Sequence, residues 1–343
     1  MADKTFKERR KQRVLAVMAN QSEPIKLSAI LQQVGDVPER TLRRWLAHWD
    51  KAGIVNKSGR GKATLYTLPQ SSPPSVAFIQ PLDDDIQQGL LYQIRDLWTH
   101  HSTALEGNTL TLGDTHFILN EGLTISGKPI KDHQEVIGHS RAIDLVYQSL
   151  AEPMSAERLF SLHCAVQTDI VNDIYKPQGD WKLEPNGTYA VDAQGQQRFI
   201  QYALPAHVPV LMDELITMMN RIEDQAITIT NAHEYYAKLH MGFVHIHPFW
   251  DGNGRMARLI ANIPLLKAGL PPLVISTDKR REYIECLAQY QLDVGQLHQH
   301  SGIWPEPEKL RPFIVFCQQS YQTTQALVDK AMLEQEKRNL LNV

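Results

Sequence analysis

Cysteine is scarce in this chain: Cys164, Cys286 and Cys317 are the three present in 343 residues. They form no Cys-x-x-Cys pair, and an odd number cannot be fully bridged internally, so reduced, mostly buried thiols are expected rather than a disulfide framework. Long apolar runs are missing too. The charged opening, with Lys4, Lys7, Glu8, Arg9, Arg10 and Lys11, is not followed by a stretch able to form a signal-peptide core or a membrane span. A cytoplasmic location without a membrane partner is therefore expected. Nor is there a long internal repeat, a low-complexity tract or an extreme composition. With 43% hydrophobic and 21% charged residues the chain can bury a real core, and its length suits two domains better than one.

What the sequence does have is an uneven charge. Residues 1–70 hold 14 Lys and Arg against 6 Asp and Glu, whereas the rest holds 21 against 32, so a net charge of −3 conceals a basic module joined to an acidic one. In the basic module, Val14, Leu15 and Met18 sit at helical spacing, and a second short helix is predicted over 27–34 ahead of Gly35. A third, over 37–51 with Asp36 in position to cap it, places Leu42, Trp45, Leu46 and Trp49 on one face. Ile54, Val55 and residues 64–68, across a turn at 58–61, predict a hairpin with Lys57, Arg60 and Lys62 near its tip. Three helices and a basic hairpin resemble a winged helix-turn-helix. That resemblance implies DNA contact through Arg40, Arg43 and Arg44 of the third helix and through the hairpin cations. A winged-helix protein-interaction module is the other reading of the same pattern.

The stretch 71–83, with Ser71, Ser72, Pro73, Pro74 and Pro81, is expected to link residues 1–70 to a mainly α-helical domain over 84–343. Helices are predicted over 84–106, 113–121, 131–150, 155–171, 209–220, 231–246, 253–267, 279–290 and 308–339. Two short strands, 187–191 and 197–202, form the one strong strand signal there.

The densest chemistry lies in His247-Pro248-Phe249-Trp250-Asp251-Gly252-Asn253-Gly254-Arg255, followed by Arg258. Pro248 stops the preceding helix and holds His247 at its end, while Gly252 and Gly254 let successive backbone N–H groups face one turn. A new helix begins near Asn253. Its unpaired amides and positive dipole end meet at the same place, making an anion site for which phosphate is the natural occupant. Arg255 and Arg258 lie on neighbouring faces of the first turns, suited to gripping polyphosphate oxygens. Asp251 supplies one carboxylate, and one carboxylate with phosphate oxygens and water suits Mg²⁺. An imidazole with an ordinary pKa of about 6.5 is substantially neutral at cytoplasmic pH, which makes His247 the candidate base for an attacking hydroxyl.

These residues match the Fic motif H-P-F-x-[DE]-G-N-[GK]-R at every fixed position, and Arg258 matches the second arginine of many members, so the chain resembles the Fic family from about residue 84 to 319. The resemblance implies a protein adenylyltransferase that passes AMP from ATP, with Mg²⁺, to a Tyr, Thr or Ser hydroxyl of a target protein. His247 would be the base, Gly252, Asn253, Gly254, Arg255 and Arg258 the phosphate contacts, Asp251 the metal contact, and Phe249 the apolar anchor of the loop. Ser102-Thr103-Ala104-Leu105-Glu106-Gly107-Asn108 is similar to the family's inhibitory motif [ST]-x-x-x-E-[GN]. Thr109-Leu110-Thr111-Leu112 and Glu135-Val136-Ile137-Gly138 resemble the branch whose inhibitory helix precedes the catalytic motif. Glu106, in the last turn of its helix, is then implied to pair with Arg258 and displace the ATP γ-phosphate, or to orient a water that removes AMP from a modified target.

The 182–202 hairpin falls where the family has a flap able to register an extended target segment. Tyr283 falls where relatives use aromatic side chains near adenine, with the core as its alternative place; Ile284 and an apparent insertion over 293–308 depart from the family pattern. Family members self-associate, which leaves a homodimer open.

A different class of reading makes the chain a DNA-binding transcriptional regulator whose nucleotide site only senses ATP; the intact His247 argues against it. Zinc binding by His240, His245 and His247 is disfavoured, because His245 and His247 are two residues apart and point to different faces, and the glycine turn would go unexplained. Another donor than ATP is a further reading, against which the unaltered Gly254 and the paired arginines favour AMP.

Overall fold

The computed structural model describes residues 10–11, 13–14, 17–18, 24–35, 37–51, 55–59, 61, 64–67, 76–168, 173–192, 194–222 and 226–341. The chain divides into two compact units, 1–73 and 74–343. The expectations for Asp36, Arg60 and Lys62 lie outside the described residues, as does 71–75 of the expected linker.

The first unit contains strand β1 (Ile25–Lys26), helices α1 (Leu27–Val34) and α2 (Glu39–Lys51), and strands β2 (Asn56–Ser58) and β3 (Leu65–Thr67). The strands form an antiparallel sheet in the order β1-β3-β2, with Tyr66 opposite both Ile25 and Lys57. Leu42, Trp45, Leu46 and Trp49 recur every three or four residues, so α2 turns one apolar face inward onto Ile30, Val34 and Tyr66. β1 was not anticipated; two residues are too few to show an alternating pattern. Arg40, Arg43, Arg44 and Lys57 are exposed, and Arg43 is paired with Glu39 one turn earlier at 2.6 Å.

In the second unit the linker expectation needs correction. Val76, Phe78, Ile79 and Leu82 are buried in its core, and residues Ala77–Ile79 make a 3₁₀ turn. Burying side chains of this size stabilises by roughly 1.5–3 kcal/mol each, which outweighs the tendency of the surrounding prolines to leave the chain extended.

The helices that follow are α3 (Asp84–Ala104), α4 (Leu112–Glu121), α5 (Ile130–Gln148), α6 (Ala156–Val166), α7 (Val208–Arg221), α8 (Ala232–Ile246), α9 (Asn253–Ile260), α10 (Ile263–Lys267), α11 (Arg280–Val294) and α12 (Arg311–Leu341). Between α6 and α7, strands β4 (Gly187–Val191) and β5 (Gln197–Gln201) pair antiparallel with Tyr189 opposite Phe199. The unit is thus mainly helical with one small hairpin, as the periodicity predicts. Thr111 opens α4 with a capping box completed by Asp114. The helix predicted over 84–106 stops at Ala104, because the Glu106 and Gly107 N–H groups turn back to Thr103 and Ala104 and Gly107 adopts φ 101°. Among the described residues no helix is long and apolar enough to cross a membrane.

α8 is the axis of the unit. Tyr236, Leu239, His240, Phe243 and Ile246 are all buried, and α7, α9 and α12 pack around it. A helix clamped on several sides cannot shift its end freely. Its C-terminus delivers His247, and the N-terminus of α9 begins six residues later, so these two features are set by one rigid element.

Candidate active site

His247 caps α8 in the left-handed region, at φ 53° and ψ 60°. It is the one non-glycine with positive φ among the described residues, a backbone state that costs roughly 1–3 kcal/mol and must be over-determined by its surroundings. Three contacts do so. The Phe243 carbonyl accepts its N–H, the Val244 carbonyl meets Nδ1 at 3.2 Å, and its ring lies parallel to Tyr202 at 3.7 Å. A carbonyl can only accept, so Nδ1 carries the hydrogen and Nε2 keeps its lone pair. Burial, with the nearby Lys182 charge, lowers the His247 pKa to about 3. The imidazole is neutral at physiological pH.

The loop after His247 is held from inside. Asn253 accepts the Phe249 N–H on Oδ1 at 3.0 Å and donates Nδ2 to the Phe249 carbonyl at 2.9 Å. Phe249 is fully buried and stacks on His163 at 3.8 Å. Gly179 donates its N–H to His163 Nδ1, which leaves Nε2–H to reach the Asp251 carbonyl at 3.1 Å. Burial lowers the His163 pKa to about 4, keeping the ring neutral for both bonds. Gly252 turns the chain with φ 77°, a conformation that needs glycine, and α9 starts at once. The first-turn N–H groups of Asn253, Gly254 and Arg255 have no carbonyl one turn back, the pattern of a helix-end anion site.

These details bear on two of the expected phosphate contacts. The Asn253 side-chain amide is committed to Phe249 at both ends, so its backbone N–H is what faces the turn. The Gly252 N–H is taken by Asp251 Oδ1 at 2.7 Å, so Gly252 shapes the turn without offering a donor. The second Asp251 oxygen meets Gln167 Nε2 at 3.3 Å and lies 3.9 Å from Arg255 Nη2, and the carboxylate remains exposed on its outer side. A single accessible carboxylate at the edge of an anion site fits a hydrated Mg²⁺ sharing phosphate oxygens. No cluster of three metal-ligating side chains exists among the described residues, and His240 and His245 are bonded elsewhere, to Tyr283 and to the Gly295 carbonyl.

The two arginines are both buried. Arg255 donates to the Val166 carbonyl and to Gln167 Oε1, with Glu135 3.7 Å away. Arg258 donates to Ser102 Oγ and O at 3.0 and 2.8 Å, to Tyr283 Oη at 3.1 Å and to Glu106 Oε1 at 2.7 Å. Burying a guanidinium costs several kcal/mol unless it is paired and hydrogen-bonded. Although burial works against the charge, Tyr283 and Glu106 hold the Arg258 pKa above its usual range. A methyl group added at Gly254 would collide with the Glu106 carboxylate, so Glu106 covers the first turn of α9 as well as pairing with Arg258. It stands past the end of α3 rather than in its last turn, and reaches Arg258 through the turn at Gly107.

Tyr283 is a further correction. It is buried against Phe313 and Phe316, and its hydroxyl is shared between Arg258 and His240 at 3.1 and 3.0 Å. Of its two expected places it takes the core, as a buttress of Arg258. Sequence reasoning gave no role in the site to Gln167, His163 or Asn186, and noted Glu135, Lys182 and Tyr202 only as parts of a family segment or of the hairpin. Glu135 accepts Asn108 Nδ2 at 2.9 Å beside Arg255, so the segment that carries Glu106 touches the surroundings of both arginines.

Comparison with known proteins finds a family match that spans the His247 to Arg258 segment. Residues 153–265 match the Fic/DOC family model; that span includes His247 to Arg258 and excludes Glu106 and Tyr283. A protein adenylyltransferase Fic of Nematostella vectensis is 32% identical over 243 residues, 69% of this chain and 50% of that protein. The Caenorhabditis elegans protein adenylyltransferase fic-1 is 33% identical over 195 residues, 56% of this chain and 35% of that protein. The chain spans half or less of the length of these curated relatives. A solved Fic-domain-containing signalling protein from Bacteroides thetaiotaomicron superposes with a TM-score of 0.64 at 28% identity, covering 74% of this chain and 92% of that one.

Proposed function

We propose that this chain, with its Fic/DOC domain over residues 153–265, transfers AMP from ATP to a hydroxyl side chain of a target protein and is restrained by its own Glu106. The observation that carries this reading is a neutral imidazole with its Nε2 lone pair available, six residues from a helix N-terminus backed by two buried arginines. The phosphates lie against the N–H groups of Asn253, Gly254 and Arg255, with Arg255 and Arg258 neutralising charge at the β and γ positions. Nε2 of His247 takes the proton of the attacking hydroxyl. Its oxygen bonds to the α-phosphorus, the bond from that phosphorus to the α–β bridging oxygen breaks, and pyrophosphate leaves. Asp251 would be the protein ligand of Mg²⁺, which supplies charge neutralisation on the phosphate oxygens when bound. While Glu106 holds Arg258 and covers Gly254, the γ-phosphate has neither its guanidinium nor its space.

The test is incubation of the chain, its Glu106→Gly variant and a Glu106→Gly, His247→Ala double variant with ATP labelled at the α-phosphate, Mg²⁺ and a lysate. Covalent protein label that strengthens in the first variant and disappears in the second supports transfer under restraint. Absence of label in every sample removes the proposal.

A second reading concerns residues 1–70. Exposed Arg40, Arg44 and Lys57 on a small helical unit with an antiparallel sheet favour a winged-helix module that contacts DNA phosphates. Binding to duplex DNA that weakens steeply with salt and with Arg40→Ala and Arg44→Ala supports it; no binding at low salt rejects it. The proposal assigns the transfer to the cytoplasm, where Cys164, Cys286 and Cys317 stay reduced; they form no disulfide, and Cys317 is buried, Cys286 half-buried and Cys164 exposed, so fewer of them are buried than the sequence led us to expect.

A further inference from the structure

Beneath the catalytic loop lies a deeply buried lysine. Lys182 is 1% exposed, and among the described residues no carboxylate comes within ion-pair distance of its ammonium. Its backbone N–H donates to the Pro248 carbonyl at 2.8 Å, and Nζ donates to Asn186 Oδ1 at 2.6 Å. Nζ carries N–H hydrogens in either charge state, and by donating one to Oδ1 it sets which end of the Asn186 amide faces it. The other end, Nδ2, must then point at the loop, where it meets the Phe249 and Trp250 carbonyls at 3.1 and 3.4 Å. The Asn186 carbonyl accepts the Tyr202 N–H at 3.2 Å, and Tyr202 stacks on His247 at 3.7 Å. Lys182 Nζ itself lies 5.9 Å from the centre of the Tyr202 ring.

We propose that Lys182 is a positioning residue for the transfer reaction, acting through Asn186 and Tyr202 to set the loop carbonyls and the ring plane of His247. This rests on the reading of His247 as the base. Burial pulls the Lys182 pKa down to about 7. Its charge, after burial, is the next cause of the low His247 pKa, opposed by Asp251. The remaining titratable neighbour, Tyr202, is pushed up to about 12 by burial first and stays neutral. A misaligned base loses rate rather than substrate affinity, and that split identifies a positioning role.

The experiment uses the whole chain in the Glu106→Gly background, with Lys182→Met, Lys182→Arg and Asn186→Ala, measuring kcat, KM for ATP and the titration of the His247 ring by histidine-labelled NMR. Lys182→Met and Asn186→Ala are expected to lower kcat by about ten- to a hundredfold with KM for ATP within about twofold. Lys182→Met should also move the His247 titration upward, and Lys182→Arg should restore kcat to within about threefold of the parent, since it keeps charge and donors. Unchanged kcat and unchanged His247 titration in Lys182→Met, or Lys182→Arg as impaired as Lys182→Met, would overturn the proposal. Should Lys182→Met fail to fold, an unaltered kcat in Asn186→Ala overturns it equally. If the parent transfers no AMP, the adenylylation reading fails, while the NMR titration, which needs no turnover, still decides whether Lys182 governs His247.

Discussion

Arg258 and Glu106, 152 residues apart in the chain, meet at 2.7 Å over Gly254. The carboxylate does two things at once: it engages the guanidinium that the proposed function assigns to a polyphosphate, and it fills the space above the first turn of α9. Ser102, four residues before Glu106, accepts from Nε and, like Glu106, from Nη2 of the same guanidinium, while Nη1 goes to Tyr283, so one segment grips the Nε–Nη2 edge of the arginine.

Removing the carboxylate has opposite effects on activity and stability. Glu106→Gly should raise AMP transfer by about tenfold or more, since freeing an interaction of about 1.4 kcal/mol is a factor of ten. It should also lower the melting temperature, because a buried guanidinium loses one acceptor. Transfer rates and a thermal melt on the same preparation check both, and a rate no higher than the parent's contradicts the restraint.

The rate should be insensitive to pH where a free histidine would titrate. His247 must be neutral to accept a proton, and burial brings its pKa to about 3, so the neutral fraction stays near one from pH 8 down to pH 5. Single-turnover transfer by Glu106→Gly over that range is expected to show no acid limb near pH 6.5. A limb there would mean that His247 is not held neutral in the working enzyme.

Tyr283→Phe separates a buttress from an adenine contact. The hydroxyl serves Arg258 and His240, so its loss should destabilise the fold by about 1 kcal/mol or somewhat more. Affinity for adenosine, which carries the base without phosphates, should be unaffected. Isothermal titration together with denaturant unfolding distinguishes the two; a selective loss of adenosine binding would return Tyr283 to the adenine site.

Acid should unfold the second unit early. The buried rings of His163 and His245 have pKa values lowered to about 4, in each case by burial first. The unfolded chain takes up their protons near pH 6.5 and the folded chain does not. Their contribution to stability is therefore complete above pH 6.5 and is lost as the pH falls from there towards 4, at about 1 kcal/mol per pH unit for each ring. Melting temperatures between pH 7 and 4.5 should fall steadily, and less steeply in His245→Gln.

Much of the site was legible from local order. From His247 to Arg258 everything depends on short-range geometry: a helix stopped by proline, a turn that needs Gly252 and a new helix whose first amides are open. Contiguous residues carry such features wherever the segment lies in the fold, and the same holds for the 3.6-residue periodicity that marks the helices and for the strands of the hairpin. The pairing of Glu106 with Arg258 was readable only through resemblance to a family motif, since nothing in the spacing of two residues so far apart brings them together. Packing decided the rest. The three-dimensional core drew 76–82 out of the expected linker, turned Tyr283 towards Arg258, occupied the Asn253 amide with Phe249, and set Lys182, Asn186 and Tyr202 behind His247. Those outcomes follow from which buried polar groups find partners across long sequence separations, a condition that only the closed fold imposes.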